Sequence, residues 1–249
     1  MTGYGVSGGF YDHRMEERPW GSRELRRLGE AIRRGDTPDD YLDVLSWYGD
    51  LGTTLQQTLV GSDWSHVSLR GSPEITSRAK TIDTLRQKLD RERSIPLQNI
   101  VDIAGARFEA EMSLAQQDAV VRTVLRRLGQ FKCDVRDLRS RPHSGYRAVH
   151  VWVQAYGGRA EIQIRTHLQG AWANMYEAAG DRFGRKIRYG ELPEDSDAAS
   201  VVAGLQLLST RDIASYERGL VADPDFEPTL RRNLRELRDM ILDLPESRG

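Results

Sequence analysis

The chain has 249 residues, of which 39% are hydrophobic and 29% charged, and its 36 Lys and Arg against 37 Asp and Glu leave a formal net charge of −1. That length allows one large domain or two small ones with a substantial core, and no stretch approaches the roughly 20 apolar residues a membrane span requires. Cys133 is the single cysteine, which excludes an internal disulfide and every multi-cysteine zinc pattern and leaves it as a small hydrophobe in a strand.

Residues 1–18 carry scattered glycines and read as loosely ordered. Met1 to Phe10 lacks the basic segment and apolar core of a secretory signal, so the expected location is cytoplasmic. Gly3-Tyr4-Gly5-Val6-Ser7-Gly8 has the glycine spacing of a dinucleotide-binding turn, but no strand precedes it and no periodic helix follows, so that reading fails. Pro19 and Ser22 announce a helix through Arg34. Along it Arg23, Arg26 and Arg27, with Arg33 and Arg34 further on, put several guanidiniums on one side. Most such faces are merely solvated, and the functional alternative is a nucleic-acid backbone. Thr37-Pro38-Asp39-Asp40 caps a second helix to Leu59, with Leu42, Leu45, Tyr48, Leu55 and Leu59 as its core-facing stripe.

A short strand at Val67–Leu69 precedes a third helix, beginning at Pro73 or Glu74 and extending to Arg93, which carries Arg78, Lys80 and Lys88. Ile100–Glu109 reads as a strand in which Asp102 is a carboxylate inside an otherwise apolar run, costly unless paired or metal-bound. Ala115–Leu128 is an amphipathic helix and Phe131–Leu138 a further strand. Val149, Val151 and Val153 then alternate with His150, Trp152 and Gln154, Gly157-Gly158 marks a two-residue hairpin, and the return strand Arg159–Thr166 sets Glu161, Gln163 and Arg165 on one face. Helices follow at His167–Phe183, Ala199–Leu220 and Pro228–Leu242, with acid gathered between Glu191 and Asp197 and around Asp223 to Glu227. This order predicts an α/β (α+β) fold, a mixed central β-sheet flanked by helices: a helical region over 1–65, a catalytic core over 66–190 and a helical region over 191–249.

The run Gly145-Tyr146-Arg147-Ala148-Val149-His150, followed by Glu161-Ile162-Gln163-Ile164-Arg165-Thr166, resembles the signature of the RelA/SpoT synthetase family, which moves pyrophosphate from ATP onto a nucleotide 3′-hydroxyl. Arg78-x-Lys80, Thr84-Leu85 and Lys88-Leu89 resemble the family's ATP-side motif, with Thr84 where the family has serine. The resemblance implies an ATP site of Arg78, Lys80, Thr84, Lys88 and Arg107, in which the planar guanidiniums of Arg78 and Arg107 sandwich adenine. It makes Asp102 a Mg²⁺ ligand and Glu161 a second ligand or the base that accepts the attacking hydroxyl's proton, two roles it does not separate. Attack on the β-phosphorus calls for ammonium groups along the triphosphate and a metal against the developing charge. On the acceptor side it implies Tyr146 stacked on the base, His150 nearer the transferred phosphates, and Arg136, Arg141 and Gln163 as further contacts. Arg165 has a plainer reading as the ion-pair partner of a nearby carboxylate.

Two departures narrow the resemblance. Pro142-His143-Ser144-Gly145-Tyr146 is one residue shorter than the relatives' P-K-x-N-G-Y and lacks its lysine. Where they carry Glu-His after Trp172-Ala173, this chain has Asn174-Met175-Tyr176-Glu177, then Arg182-Phe183-Gly184 and Ile187-Arg188-Tyr189-Gly190. These features resemble the toxic small alarmone synthetases of toxin–antitoxin systems, over residues 10–190. That likeness implies a Mg²⁺-dependent toxin that prefers the 3′-terminal adenosine of tRNA to GTP, GDP or an adenine nucleotide, with Arg23, Arg26 and Arg27 toward RNA. A protein antitoxin is the implied partner, and neither membrane nor DNA is expected. Asp12-His13 is isolated and reversed relative to a hydrolase His-Asp pair. A nonenzymatic nucleotide- or RNA-binding relative is the competing class, and retention of both Asp102 and Glu161 argues against it, because pure binding does not require a two-carboxylate metal site.

Overall fold

The computed structural model describes residues 15–221 and 223–243, with the backbone but not the side chains of Arg78 and Ala79. The glycine run at 3–8 and Asp12-His13 lie outside the described residues. In chain order the elements are α1 (Ser22–Arg33), α2 (Tyr41–Val60), β1 (Arg70–Ala79), α3 (Ile82–Arg91), β2 (Ala104–Glu111), α4 (Leu114–Arg127), β3 (Lys132–Asp137), β4 (Val149–Ala155), β5 (Gly158–Thr166), α5 (His167–Phe183), α6 (Ser196–Leu207), α7 (Ala214–Glu217) and α8 (Phe226–Asp243).

The strands form one mixed sheet in the order β1-β2-β5-β4-β3. β2 and β5 run parallel at its centre and every other pairing is antiparallel. The period-2 alternation decides the layers: Ala106 and Phe108 of β2, Val151 and Val153 of β4 and Ile162 and Ile164 of β5 are buried beneath α2 and α4. The opposite face keeps the polar set. A second core joins α5 to α6 and α8 through Trp172, Met175, Val202, Leu205, Leu234 and Ile241. Among the described residues no helix is long and apolar enough to cross a membrane.

Several boundaries differ from the sequence reading. The third helix begins at Ile82, because Arg70–Ala79 pairs antiparallel with β2 as an edge strand and Thr81 caps the helix by accepting from the Thr84 amide. Pro73 sits in the irregular register between Arg70 and Glu74, where an edge strand tolerates a missing donor. Arg78 therefore lies near the end of a strand and Lys80 in the following turn. Asp102 lies in the bend before β2, not inside a strand, since pairing with β1 and β5 starts at Ala104. Tyr146 precedes β4 in a loop.

The hairpin turns one residue early. Tyr156 (φ 51°) and Gly157 (φ 74°) form it while Gly158 pairs with Ala155, the twist that favours two left-handed residues. On α2, Leu42 is 62% exposed, and the stripe runs through Val44, Tyr48, Leu51, Leu55 and Leu59, with Leu45 half-buried against the same core. Residues 15–18 are tied down, with the Arg18 amide donating to the Tyr156 carbonyl at 2.9 Å. The helix expected over 199–220 starts at Ser196 and widens into a π turn at Leu208–Ile213 before α7.

That widened turn serves a buried ion pair. Arg147 Nη2 lies 2.5 Å from Glu217 Oε2, with side-chain exposures of 1% and 0%. The Ser209 carbonyl accepts from Arg147 Nη1 at 3.2 Å, and Ser209 Oγ donates to the Gly145 carbonyl at 2.6 Å. Glu217 also accepts from Thr166 Oγ1 at 2.5 Å and Gln169 Nε2 at 3.2 Å, both in the cap of α5. A charge buried this deeply is tolerated only with partners. Arg147→Ala should lower unfolding stability by about 3–5 kcal/mol in urea titrations, the usual penalty for stranding one partner. A loss below about 1 kcal/mol, the range of an exposed pair, would contradict this account.

Candidate active site

β5 turns Glu161, Gln163 and Arg165 onto the polar face, and the register places His150 beside Gln163 and Trp152 beside Glu161. Gly145, at φ 84°, follows Ser144 at φ 52°, and a Cβ there would come 2.8 Å from the Trp172 ring. This turn brings Tyr146 back over β4. The result is a closed circuit of five side chains. Glu161 Oε1 faces His150 Nδ1 at 2.9 Å, and His150 Nε2 meets the Tyr146 hydroxyl at 2.8 Å. Arg165 Nη2 donates to that hydroxyl at 2.7 Å and to Gln163 Oε1 at 2.6 Å, and Gln163 Nε2 donates back to Glu161 Oε2 at 2.8 Å. Trp152 Nε1 adds a third donor to Glu161 at 3.1 Å.

These donors set the electrostatics. Burial alone would raise the Glu161 carboxyl, but the hydrogen bond and charge of His150, with the donors on Gln163 and Trp152, pull it down to about 2. Burial pushes the Tyr146 phenol up, against the charge and hydrogen bond of Arg165. The Arg165 guanidinium also lies 5.2 Å from the Tyr146 ring centroid, so one face of that ring is already stacked.

Glu161 and Gln163 line a cavity of about 380 Å³ shared with Lys80, Thr84, Lys88, Asp102 and Arg107. Lys80 Nζ and Lys88 Nζ grip the two oxygens of Asp102 at 3.1 and 2.7 Å. Thr84 donates its hydroxyl to the Thr81 carbonyl at 2.9 Å. Arg107 lies 3.7 Å from Glu109 on the same strand. The backbone of Arg78 stands opposite Gly105 in the β1–β2 register, while its side chain is outside the described residues.

Seven of the expected positions thus converge on one cavity. His150 and Tyr146 stand behind Glu161 rather than in the cavity wall. Arg136 stacks on Trp152 at 4.7 Å, pairs with Asp134 at 2.7 Å and neighbours His150 across the β3–β4 register. Arg141 is exposed in the loop between β3 and β4. Arg23, Arg26 and Arg27 are exposed on α1, whose other side buries Leu25, Leu28 and Ile32. The Ile32 carbonyl accepts from Arg86 of α3 at 3.0 Å.

Sequence reasoning misses the far wall: Gln87 and Arg91 of α3, Glu177 and Asp181 of α5, and Arg185, Arg188 and Tyr189 beyond it. For α3 the signal is present, since Thr84, Gln87, Lys88 and Arg91 follow the spacing of one helical face. Arg165 does more than pair with a carboxylate, because it closes the circuit through Tyr146 and Gln163.

A family model described as the region found in RelA / SpoT proteins matches residues 77–183. The chain is 44% identical over 209 residues to the uncharacterized protein Rv1366 of Mycobacterium tuberculosis, covering 80% of this chain and 75% of that protein. Among solved structures, small alarmone synthetase 1 of Bacillus subtilis superposes with a TM-score of 0.57 at 24% identity, over 80% of this chain and all of that one. A GTP pyrophosphokinase family protein of Streptococcus pneumoniae does so with a TM-score of 0.56 at 20% identity, over 84% of this chain and 100% of that one. The chain belongs to the RelA/SpoT family and has the fold of the small alarmone synthetases.

The depressed Glu161 carboxyl links folding to pH. Its contribution is complete above the unfolded carboxyl value near 4.5 and fades as pH falls from there toward about 2. In chelator, the stability difference between wild type and Glu161→Gln should therefore shrink across that window in acid titrations followed by circular dichroism. A difference constant from neutral pH down to pH of about 2 would mean the carboxylate is not held by these donors.

Proposed function

We propose that this RelA/SpoT-family chain transfers pyrophosphate from ATP to a 3′-hydroxyl, with the 3′-terminal adenosine of tRNA as acceptor, and thereby arrests growth as a toxin held in check by a protein antitoxin. One observation carries the chemistry: Lys80, Lys88, Asp102, Arg107 and Glu161, up to 81 residues apart in sequence, meet in a single cavity. The ammonium groups of Lys80 and Lys88 lie along the triphosphate. Arg107, with Arg78 on the neighbouring strand β1, flanks adenine. The acceptor oxygen attacks the β-phosphorus, the bond to the bridging oxygen breaks and AMP departs. Glu161 receives the hydroxyl proton, holds the cation, or does both.

Asp102 and Glu161 are the residues that would hold Mg²⁺, which would supply positive charge against the charge developing on the phosphates. The donor set fits. Two carboxylates open on the cavity, and a Mg²⁺ site commonly uses one or two carboxylates and completes itself with substrate phosphates and water. His150, Tyr146, Arg165 and Gln163 fix the orientation of Glu161, so its charge is aimed before substrate arrives.

The test is to incubate the protein with Mg²⁺ and ATP labelled on its γ-phosphate, offering tRNA, GTP, GDP and ADP separately. Label should appear on tRNA, and Glu161→Gln should reduce transfer by about a hundredfold or more with the fold intact. Label on a mononucleotide alone would replace the acceptor but keep the chemistry; label on none would remove the chemistry.

The exposed arginines of α1 generate a separate expectation. A tRNA presents a long backbone where a mononucleotide presents only its own phosphates. Changing Arg23, Arg26 and Arg27 to Glu should impair tRNA modification far more than transfer to a mononucleotide. It should also flatten the salt dependence by about 0.7–0.9 in logarithmic slope for each phosphate that is no longer neutralised. Equal loss on both acceptors, or none on either, would exclude α1 as an RNA surface.

A further inference from the structure

We infer that Arg188 is a donor-binding residue that grips the outer phosphates of the nucleotide, and that Gly180 stands in α5 to seat it. This rests on the reading that the cavity takes a nucleoside triphosphate. Residues Arg185–Tyr189 form a 3₁₀ turn between Gly184 (φ 99°) and Gly190 (φ 89°), and Arg185, Arg188 and Tyr189 of this strap line the cavity. Two bridges fasten the strap to α3: Arg185 donates to Gln87, and Arg91 Nη1 donates to the Tyr189 hydroxyl at 2.6 Å.

Arg188 lies across the last turns of α5. Its Nη2 donates to the Glu177 carbonyl at 2.9 Å and to Asp181 Oδ1 at 3.1 Å, while its buried Nε has no hydrogen-bond partner. A Cβ on Gly180 would lie 2.6 Å from that Nε. Glycine inside a helix is unfavourable relative to alanine, so its presence here is explained by the guanidinium that it admits.

Charge then indicates the ligand. Asp181 Oδ1 is shared between Arg188 and Arg185, the latter at 3.2 Å. Across the cavity Asp102 is shared between two lysines in the same way. The cavity lining as a whole carries six Lys and Arg side chains against four Asp and Glu. A chain of phosphates lying between the walls supplies the missing anions, and the flat fork of arginine suits two phosphate oxygens at once. Adenosine monophosphate carries a single phosphate and so lacks the outer phosphates that Arg188 would grip.

Calorimetric titration of the whole chain with ATP, ADP and AMP in Mg²⁺ tests this. Arg188→Ala should weaken ATP binding by about ten- to hundredfold, the change expected on removing one charge-assisted hydrogen bond. AMP affinity should stay within about twofold, the size of a minor surface effect. Gly180→Ala, which displaces the guanidinium, should give the same ATP-selective loss, and Arg188→Lys a partial one. Arg211→Ala, at an exposed arginine outside the cavity, should leave the ATP-to-AMP ratio unchanged. A loss shared equally by ATP and AMP, or no loss in Arg188→Ala, overturns the assignment while leaving the donor reading in place. A wild-type protein that does not bind ATP overturns both.

Discussion

The ion pair between Arg147 and Glu217 is the constraint on which the site's geometry depends. Arg147 occupies the loop between Tyr146 and β4, and its guanidinium is buried against the C-terminal helical run. With Arg147 drawn to one side, its neighbour Tyr146 is turned to the other, toward His150 and Arg165. Buried pairs of this kind add little net stability, because desolvation offsets attraction. What this one contributes is a fixed position for the loop. The core motif on β4 and β5 is thereby coupled to α7, seventy residues further along the chain.

Coupling of the same kind continues around Glu161. Each member of the circuit Glu161–His150–Tyr146–Arg165–Gln163 both positions and is positioned by its neighbours. If His150 carries its proton on Nδ1, it donates to Glu161, its Nε2 accepts from Tyr146, and the phenol oxygen accepts from Arg165, so every bond in the circuit has one donor and one acceptor. Removal of any one member breaks two bonds of the circuit. Glu109 extends the set: its buried carboxyl, pushed up by desolvation and held back by Arg165 and Arg107, lies 3.7 Å from each of those arginines.

The parts of this arrangement that are legible in the sequence are those governed by a local period. The alternation on β4 and β5, the amphipathic α4 and the whole of α5 follow from spacing alone, and the paired motifs identify the polar face. β1 is not legible, because an edge strand containing Gly71 and Pro73 has little apolar alternation and is defined by its partner β2. That single difference moves Arg78 and Lys80 from a helix face to a strand end and a turn. Asp102 shows the complementary case: Ile100, Ile103 and Ala104 are all buried, so the run looks like a strand, yet its first residues are a bend that presents the carboxylate to two lysines. The strap at 185–189 has no periodicity to read. Its role depends on α3, about a hundred residues earlier, and only the fold brings them together.

Strand order itself distributes the proposed chemistry. The residues proposed for the donor come from β1, α3, β2 and the turns beside them, and those proposed for the acceptor from β4, β3, their loop and Gln163 of β5, so the β5 carboxylate of Glu161 lies between the two groups. Registers sharpen this. Arg78, Gly105, Glu161 and Trp152 form one row across the sheet, and Thr76, Arg107, Gln163, His150 and Arg136 form the next. In the first row Gly105 has no side chain, which leaves the flank of Glu161 open toward β1 and the cavity. In the second, Arg107 and His150 stand on either side of Gln163. A slip of one residue between β2 and β5 would turn Ala104 or Ala106 toward Glu161 and send Arg107 into the apolar layer under α2. The buried alanines and Phe108 that forbid this slip are therefore as much a condition of the site as the charged residues within it.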